Sequence, residues 1–420
     1  MRRPSGIPGR AGAGRAAATP TRRLHVGLNL IFLVPQQTGG MEIYARELIA
    51  ALVEQAPSIS FTAFINRETA AAKDGPWGQI VRSVLVPVNA GSRPQWVLGE
   101  QGPLPLQAAR AGVQLLHSLG STAPAWGPFS RVVTVHDLIY ARFPEAHGGL
   151  HAKGMGVLVP LAVRRSHRVI ADSQSTKRDL IEILSTNAQM IDVVPLGFRG
   201  SRAVEPVSEV QLRRRLGLGG RRVLLTLSAK RPHKNLITLI GALARIPPDQ
   251  RPKLVMPGYP TSHEQELAQR AQQLGAADDV LLLPWVSEQE LEGLWQLADA
   301  FVYPSLYEGF GLPVLEAMAR GVPVACSNAS SLPEVAGRAA LLFDPLSEQQ
   351  IAEAIEKLLR ERSEAERLAE AGRRQAARFT WEATAKQTIA VYQRALSGQA
   401  GAPSGQGESR AGPAAGSTAR

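Results

Sequence analysis

The 420-residue sequence contains one cysteine, Cys326, and therefore cannot form an intrachain disulfide. A single thiol is typical of a reducing compartment and predicts a cytoplasmic protein. No apolar run approaches the roughly 20 residues that a membrane-spanning helix requires, and the best candidate is residues 154–163, GMGVLVPLAV. The first residues include arginines but no apolar stretch, so we predict no secretory signal.

Acidic residues are scarce at the two ends of the chain, and this scarcity explains most of the formal net charge of +11. Residues 1–23 contain six arginines and no acid, while residues 398–420 carry a net charge of +1. The ends therefore hold +7, which leaves +4 for the body of the chain. Such a mildly basic body argues against specific nucleic-acid binding. The composition predicts disordered tails over 1–22 and 398–420, although the first segment is also compatible with a transit peptide.

Several catalytic motifs are missing from the sequence. It contains no G-x-x-x-x-G-K-[ST], no H-E-x-x-H and no G-x-S-x-G, so P-loop, zincin and hydrolase-elbow sites have no support. It also contains no D-x-D, the short carboxylate pair that would hold Mg²⁺ or Mn²⁺. We therefore expect a reaction that needs no metal and no cofactor, in which basic side chains stabilise anionic charge.

What the sequence does contain is a repeated alternation of buried-strand and amphipathic-helix patterns. The alternation begins at Leu24, is interrupted by a polar Gly/Pro-containing segment over 199–220, and then resumes. We predict an α/β protein of two Rossmann-like, doubly wound parallel-sheet domains that face a central cleft. The predicted boundaries are 23–198 for the amino-terminal domain, 199–379 for the second domain and 380–397 for a terminal helix.

The stretch YPSLYEGFGLPVLEAMARGVPV, residues 303–324, places Glu308 and Glu316 in otherwise apolar surroundings. Pro313 suits the first turn of a helix, so the preceding loop would offer unpaired backbone N–H groups to a phosphate. Carboxylates accept hydrogen bonds from sugar hydroxyls, and the stretch therefore indicates a sugar phosphate or nucleotide. A solvent-exposed helix cap is the alternative. The loop residues are Gly309, Phe310, Gly311 and Leu312.

Basic residues follow another predicted strand in SAKRPHKNL, residues 228–236. Lys230, Arg231 and Lys234 can converge on one anion, which arginine binds bidentately. A solvated charge run is an equally good interpretation.

Three weaker signals lie in the amino-terminal half. His136 ends a predicted strand and would face the cleft as a polarising or acid–base group, although a structural histidine is the commoner case. Gly39 and Gly40 would permit close approach of a ligand, but many strand–helix turns contain glycine. Ser173 matches a helix N-cap with no catalytic part.

Together these segments resemble the GT4 family of retaining glycosyltransferases, which have the GT-B fold. Within that family, the mannosyltransferase branch has the most similar sequence patterns. The resemblance covers residues 24–396 and includes TGGMEIYARELIAAL, VVTVHDLIY, RVIADSQSTKRDL and SAKRPHKNL. The glutamate pair matches the family's E-x7-E motif. The resemblance implies transfer of a hexose from a nucleotide-sugar donor, with GDP-mannose favoured, to a glycan or lipid-linked acceptor.

The resemblance also implies positions for the donor. Glu308 and the amides of the 309–312 loop should hold the donor sugar and its phosphate, and Glu316 should bind the ribose. His136 should lie near the anomeric carbon, and Gly39 and Gly40 at the phosphates or the acceptor. In the family, the leaving phosphate deprotonates the acceptor during a front-face displacement.

The cations show one departure from the family pattern. Lys234 should neutralise the leaving diphosphate together with Arg231 or Lys230. Many relatives have arginine five or six residues before the lysine, whereas Ala229 and Ser228 occupy those offsets here. The partner of Lys234 is therefore left open by the sequence.

Other interpretations are a catalytically silent GT-B module that binds a nucleotide sugar or scaffolds a complex, and a GT-B phosphorylase. Residues 147–168 are apolar with basic flanks, which is compatible with peripheral contact with an anionic membrane surface or with an ordinary packed helix.

Overall fold

The computed structural model describes residues 23–72, 77–144, 149–198, 200 and 204–398. The predicted tail at 1–22 and residues 399–420 of the second predicted tail lie outside this part of the chain. None of the helices in the described ranges is both long and apolar enough to span a bilayer.

The first half alternates strands and helices. Its strands are β1 (His25–Asn29), β2 (Ser60–Ile65), β3 (Arg82–Leu85), β4 (Leu115–Ser118), β5 (Ser130–Val135), β6 (Arg168–Ala171) and β7 (Ile191–Val193). Its helices are α1 (Gly40–Gln55), α2 (Arg67–Ala71), α3 (Trp77–Ile80), α4 (Arg93–Gln101), α5 (Pro103–Arg110), α6 (Ile139–Arg142), α7 (Gly149–Arg165) and α8 (Gln174–Leu184).

The second half repeats the alternation. Its strands are β8 (Val223–Leu225), β9 (Lys253–Pro257), β10 (Val280–Leu283), β11 (Ala300–Tyr303), β12 (Val324–Ser327) and β13 (Ala340–Phe343). Its helices are α9 (Glu209–Arg215), α10 (Leu236–Arg245), α11 (Glu264–Gln273), α12 (Glu288–Leu297), α13 (Leu312–Ala319), α14 (Leu332–Ala336), α15 (Glu348–Arg360), α16 (Arg362–Ala376) and α17 (Trp381–Ser397).

Both halves are built on parallel sheets, as predicted. In the described residues the strand orders are β3-β2-β1-β4-β5-β6-β7 and β10-β9-β8-β11-β12-β13. Helices cover both faces, which explains why strands such as β8 and β11 are apolar and buried. The order reverses between β1 and β4 in one sheet and between β8 and β11 in the other, and ligands of such sheets bind beyond the strand ends at these points.

The last helix, α17, leaves the second half and packs against α1, β5 and β6 of the first. Tyr392 of α17 lies with its hydroxyl 2.8 Å from Nδ1 of His117 at the end of β4, and both side chains are fully buried. Burial lowers the pKa of His117 to about 3, so the ring is neutral. One hydrophobic cluster includes residues of both halves together with Val391 and Tyr392 of this helix.

The Tyr392–His117 contact yields a test of how firmly α17 is attached. Tyr392→Phe removes the hydroxyl and leaves a buried ring nitrogen without its partner, so we expect the free energy of unfolding to fall by about 1–2 kcal/mol. Urea denaturation followed by circular dichroism measures the change. Gln393→Ala, at the exposed neighbouring position of the same helix, is the control, and an equal loss in both variants would contradict the interpretation.

Candidate active site

The loops that follow β8 and β11 meet at the reversal point of the second sheet. There Nζ of Lys234 donates to Oε1 of Glu308 over 2.6 Å and to the Tyr303 hydroxyl over 3.3 Å. The Lys234 and Glu308 side chains are only 16% and 13% exposed. Burial disfavours the charged carboxylate, but the adjacent ammonium outweighs it and holds the pKa of Glu308 below its ordinary value. The site therefore contains an intact, nearly buried ion pair.

The 308–312 loop presents a row of backbone donors. The amide of Glu308 donates to Oγ of Ser330 over 2.9 Å, whereas the amides of the next four residues have no acceptor within the described chain. α13 begins at the last of these, Leu312, with Pro313 in its first turn. Unpaired N–H groups at a helix N-terminus attract anions because they combine hydrogen-bond donors with the positive end of the helix dipole. The loop can therefore bind a phosphate group.

The glycines near the site serve two purposes. A Cβ on Gly309 would lie 2.0 Å from the carbonyl oxygen of His136, so the absence of a side chain here permits contact between the two halves. Gly39 has φ of 62°, which favours glycine, and a Cβ on Gly39 or Gly40 would meet nothing within 4 Å. Open space therefore lies beside the Gly39–Gly40 pair.

The two cations proposed as partners of Lys234 differ in availability. Lys230 is fully buried, donates to the carbonyls of Gly258 (3.0 Å) and Leu283 (2.6 Å), and lies 3.1 Å from Oε2 of Glu264. Two hydrogen bonds and one ion pair thus hold its ammonium group within the protein. Arg231 is partly exposed, and no acceptor in the described ranges binds its guanidinium. Arg231 is therefore the cation that a ligand can use.

Glu316 lies further along α13 and lines a cavity of about 230 Å³ between the two halves. Burial raises the pKa of its carboxyl; the charge of Arg320 opposes the shift and that of Glu292 adds to it. Arg320 is held by Glu292 through contacts of 2.7 and 3.0 Å. Other residues that line the cavity are Ile43, Glu47, Phe198, Glu288, Leu291, Leu312 and Trp381.

His136 is held at both ring nitrogens. Nδ1 lies 2.7 Å from Oδ2 of Asp172, and Nε2 lies 2.8 Å from the carbonyl oxygen of Leu119. Burial of the ring opposes its charged form, but Asp172 more than compensates and raises the pKa of His136. Because a carbonyl oxygen and a carboxylate only accept hydrogen bonds, both nitrogens donate and the ring is a cation. It can supply positive charge but has no lone pair to accept a proton.

Several residues at the site were missed in the sequence. Asp172 follows β6 at the same sheet edge as His136, and an acid directly after an apolar strand was the signal available. Ser330 and Ser331 support the glutamate loop, but serines in a polar turn carry no such signal. The Tyr259 hydroxyl donates to the carbonyl of Gln36 across the cleft over 3.0 Å.

The predicted N-cap at Ser173 is confirmed, because its side chain accepts from the amide of Thr176.

The ion pair yields a prediction for pH dependence. Lys234→Met leaves Glu308 buried without a cation, so we expect the variant to lose about 2–3 kcal/mol of unfolding free energy at pH 7. In the wild type the pKa of folded Glu308 is depressed, so the contribution of the pair is lost as the pH falls through that value. In the variant the uncompensated carboxylate becomes neutral in acid, so its penalty also disappears.

The difference in unfolding free energy between the wild type and Lys234→Met should therefore be smaller at about pH 4, close to the ordinary glutamate pKa, than at pH 7. Urea denaturation at both pH values measures it. The double variant K234M/E308Q is the matched control and should recover most of the loss at pH 7. A difference that is independent of pH would contradict a charge effect.

Comparison with known proteins agrees with this geometry. Residues 38–200 match the family model described as Glycosyltransferase Family 4, and residues 209–375 match the model described as Glycosyl transferases group 1. The chain is 31% identical to the O-antigen chain mannosyltransferase B of Escherichia coli over 264 residues, which cover 62% of this chain and 69% of the relative.

A second relative, the MMP alpha-(1->4)-mannosyltransferase of Mycolicibacterium hassiacum, is 32% identical over 242 residues, or 56% of this chain and 55% of that protein. Among solved structures, sucrose-phosphate synthase from Thermosynechococcus elongatus superposes with a TM-score of 0.69 at 22% identity and covers 90% of this chain and 100% of that chain. These likenesses and the two facing parallel sheets place the chain in the GT4 family of glycosyltransferases, with the GT-B fold.

Proposed function

We propose that this glycosyltransferase transfers mannose from GDP-mannose to a glycan or lipid-linked acceptor, without a metal ion and with retention of the anomeric configuration. The observation that carries the proposal is the Lys234–Glu308 pair beside the unpaired amides of the 309–312 loop. The mannosyltransferases among the relatives support the choice of sugar.

The diphosphate of the donor would occupy the amides of the loop. Lys234 and the available guanidinium of Arg231 would supply the positive charge that a metal ion provides elsewhere. Glu308 would accept hydrogen bonds from sugar hydroxyls while it keeps its contact with Lys234. Glu316, whose carboxyl group accepts no hydrogen bond within the described residues, would bind the ribose hydroxyls.

The reaction exchanges one bond at the anomeric carbon for another. The bond between this carbon and the leaving phosphate oxygen breaks, the acceptor oxygen forms the new bond on the same face, and the acceptor proton passes to the departing phosphate. Both ring N–H groups of His136 donate to acceptors of the protein. The ring would therefore stabilise negative charge, and the phosphate would remove the proton. The open space at Gly39 and Gly40 would admit the phosphates or the acceptor.

The acidic lining of the cavity supports guanine as the base. Glu288 and Glu292 of α12 and Glu47 of α1 line the same cavity as Glu316. Glu292 keeps its contact with Arg320, and a carboxylate has lone pairs for more than one donor. Carboxylates accept hydrogen bonds and donate none, and guanine offers N1–H and N2–H₂ groups, whereas uracil offers a single N–H between two carbonyl acceptors. Adenine offers one amino group. An acceptor-rich cavity therefore favours the guanine nucleotide.

We expect GDP-mannose to raise the melting temperature of the wild type more than UDP-, ADP- or dTDP-sugars do, because ligand binding stabilises the folded state by mass action. Glu316→Ala and Lys234→Ala should lose this shift and the transfer of mannose to an acceptor panel, with turnover reduced by roughly 100-fold or more. Glu353→Ala, an exposed acid on α15, is the control and should behave as wild type.

The outcomes separate the alternatives. Wild-type turnover in both site variants would overturn the assignment of these residues. Donor binding without transfer to any acceptor would favour the silent binding module, and release of a sugar phosphate from a glycan by inorganic phosphate would favour the phosphorylase. A larger rise in melting temperature with a UDP-sugar would indicate uracil as the base in place of guanine. The other assignments at the site would stand.

We further propose that α7 contacts an anionic membrane surface on the cytoplasmic side. Ala152, Val159 and Val163 of this helix are buried, whereas Val157 is 67% exposed and the last-turn residues Arg164 and Arg165 face solvent. Arg168 does not belong to this surface because it is paired with Asp192 at 2.7 Å. An exposed apolar side chain next to basic residues suits a peripheral contact.

Co-sedimentation with phosphatidylcholine vesicles that contain phosphatidylserine tests this contact. The double variant R164S/R165S should bind these vesicles at least about tenfold more weakly, because each basic residue near such a surface contributes about 1 kcal/mol. R373S/R374S neutralises the equivalent exposed pair in the last turn of α16 and should leave binding unchanged. Equal binding of both variants, or none by the wild type, would exclude the proposal.

A further inference from the structure

We propose that α8 of the first half is a clamp for the 308–312 loop, and that Ser173 and Thr176 are positioning residues for the phosphate-binding amides of the second half. The inference rests on the function proposed above, which assigns the donor phosphate to this loop. The residues concerned do not touch the donor in this scheme. They act through the backbone of Gly309.

Three successive carbonyl groups of the loop are held by hydroxyls. Oγ of Ser331 shares its one hydrogen between the carbonyls of Glu308 (2.9 Å) and Phe310 (2.7 Å), both within the second half. The carbonyl between them, that of Gly309, accepts instead from Ser173 (2.8 Å) of the first half. The Thr176 hydroxyl shares its one hydrogen between this carbonyl (3.3 Å) and that of His136 (3.2 Å). The middle peptide unit of the loop is thus held from across the cleft.

Holding a carbonyl also directs an amide. In a trans peptide the C=O of one residue and the N–H of the next point in opposite directions, and the described chain contains no cis peptide bond. Ser331 therefore orients the N–H groups of Gly309 and Gly311, and α8 orients the N–H of Phe310 between them. All three amides are among those without an acceptor in the described residues. A complete row of donors needs side chains from both halves.

The contact is reciprocal and tightly packed. Glu334 of the second half accepts from the amides of Gln174 (2.8 Å) and Ser175 (2.7 Å), which satisfies the N-terminus of α8 and places a carboxylate at the positive end of its dipole. Next to it, the hydroxyl of Tyr307 donates to Asp179 of α8 over 2.6 Å. Each half thus stabilises the element of the other half that it contacts.

Closure of the two halves and assembly of the anion site are, on this view, one event. Separation of the halves would release the Gly309 carbonyl and allow the peptide unit that carries the Phe310 amide to rotate. Binding of the parts of the ligand that lie elsewhere in the cleft, such as the ribose at Glu316, would be weakened less. The clamp should therefore matter most for ligands that fill the loop with a second phosphate.

The test compares GDP with GMP by calorimetry, or UDP with UMP if the donor screen selects uracil. Ser173→Ala should weaken binding of the diphosphate by about tenfold, the size of effect that one lost hydrogen bond produces, and should change binding of the monophosphate by less than about twofold. Ser173 also caps α8, so Ser347→Ala is the matched control: it removes the N-cap of α15 and does not contact the loop. Glu334→Ala, which weakens docking without altering the loop itself, should reproduce the effect.

Hydrogen exchange tests the clamp without any ligand. The amides of the 308–312 loop should exchange faster in Ser173→Ala and Glu334→Ala than in the wild type or Ser347→Ala. Unchanged exchange, or equal weakening of the diphosphate and the monophosphate, would overturn the proposal. If the wild type binds no nucleotide at all, the proposed function fails, whereas the exchange data still decide whether α8 holds the loop.

Discussion

The ion pair between Lys234 and Glu308 is the interaction on which the rest of the site depends. A carboxylate that is only 13% exposed is costly unless a cation lies against it, and here the cation comes from a loop 74 residues earlier in the chain. The pair can form only where β8 and β11 lie side by side, which is where the strand order of the second sheet reverses. The fold therefore creates the one position at which this acid and this base stabilise each other.

Burial decides which of the charged groups around this pair are available to a ligand. Lys230 is enclosed and donates to the residue after β9 and to the last residue of β10, so it organises the sheet edge and is unavailable to the ligand. Arg231, its neighbour in sequence, keeps its guanidinium available. His136 is charged because Asp172 pairs with it, yet it has no free nitrogen. The result is a cleft in which the cations are held in fixed positions and His136 cannot accept a proton, which suits a reaction whose leaving group is itself a base.

Gly309 illustrates a packing constraint that its sequence context does not reveal. In the sequence it belongs to the loop that is expected to offer backbone N–H groups to a phosphate. In the structure the space beside it is taken by the carbonyl of His136 from the other half. The glycine is required by the packing of two backbones. Pro313, in contrast, behaves as its local chemistry predicts, because the first turn of a helix leaves its N–H unpaired whatever lies around it.

The sequence by itself determined the elements and their class: apolar strands alternating with amphipathic helices lead to parallel sheets covered on both faces, and the E-x7-E stretch marks the loop that bears the acids. These features follow from residues close together in the chain. Only the tertiary structure decided which cation is available, why His136 is charged, and that Ser173 reaches Gly309, 136 residues away. Those properties depend on burial and on hydrogen bonds between distant segments, and neither quantity is set until the two halves have packed together.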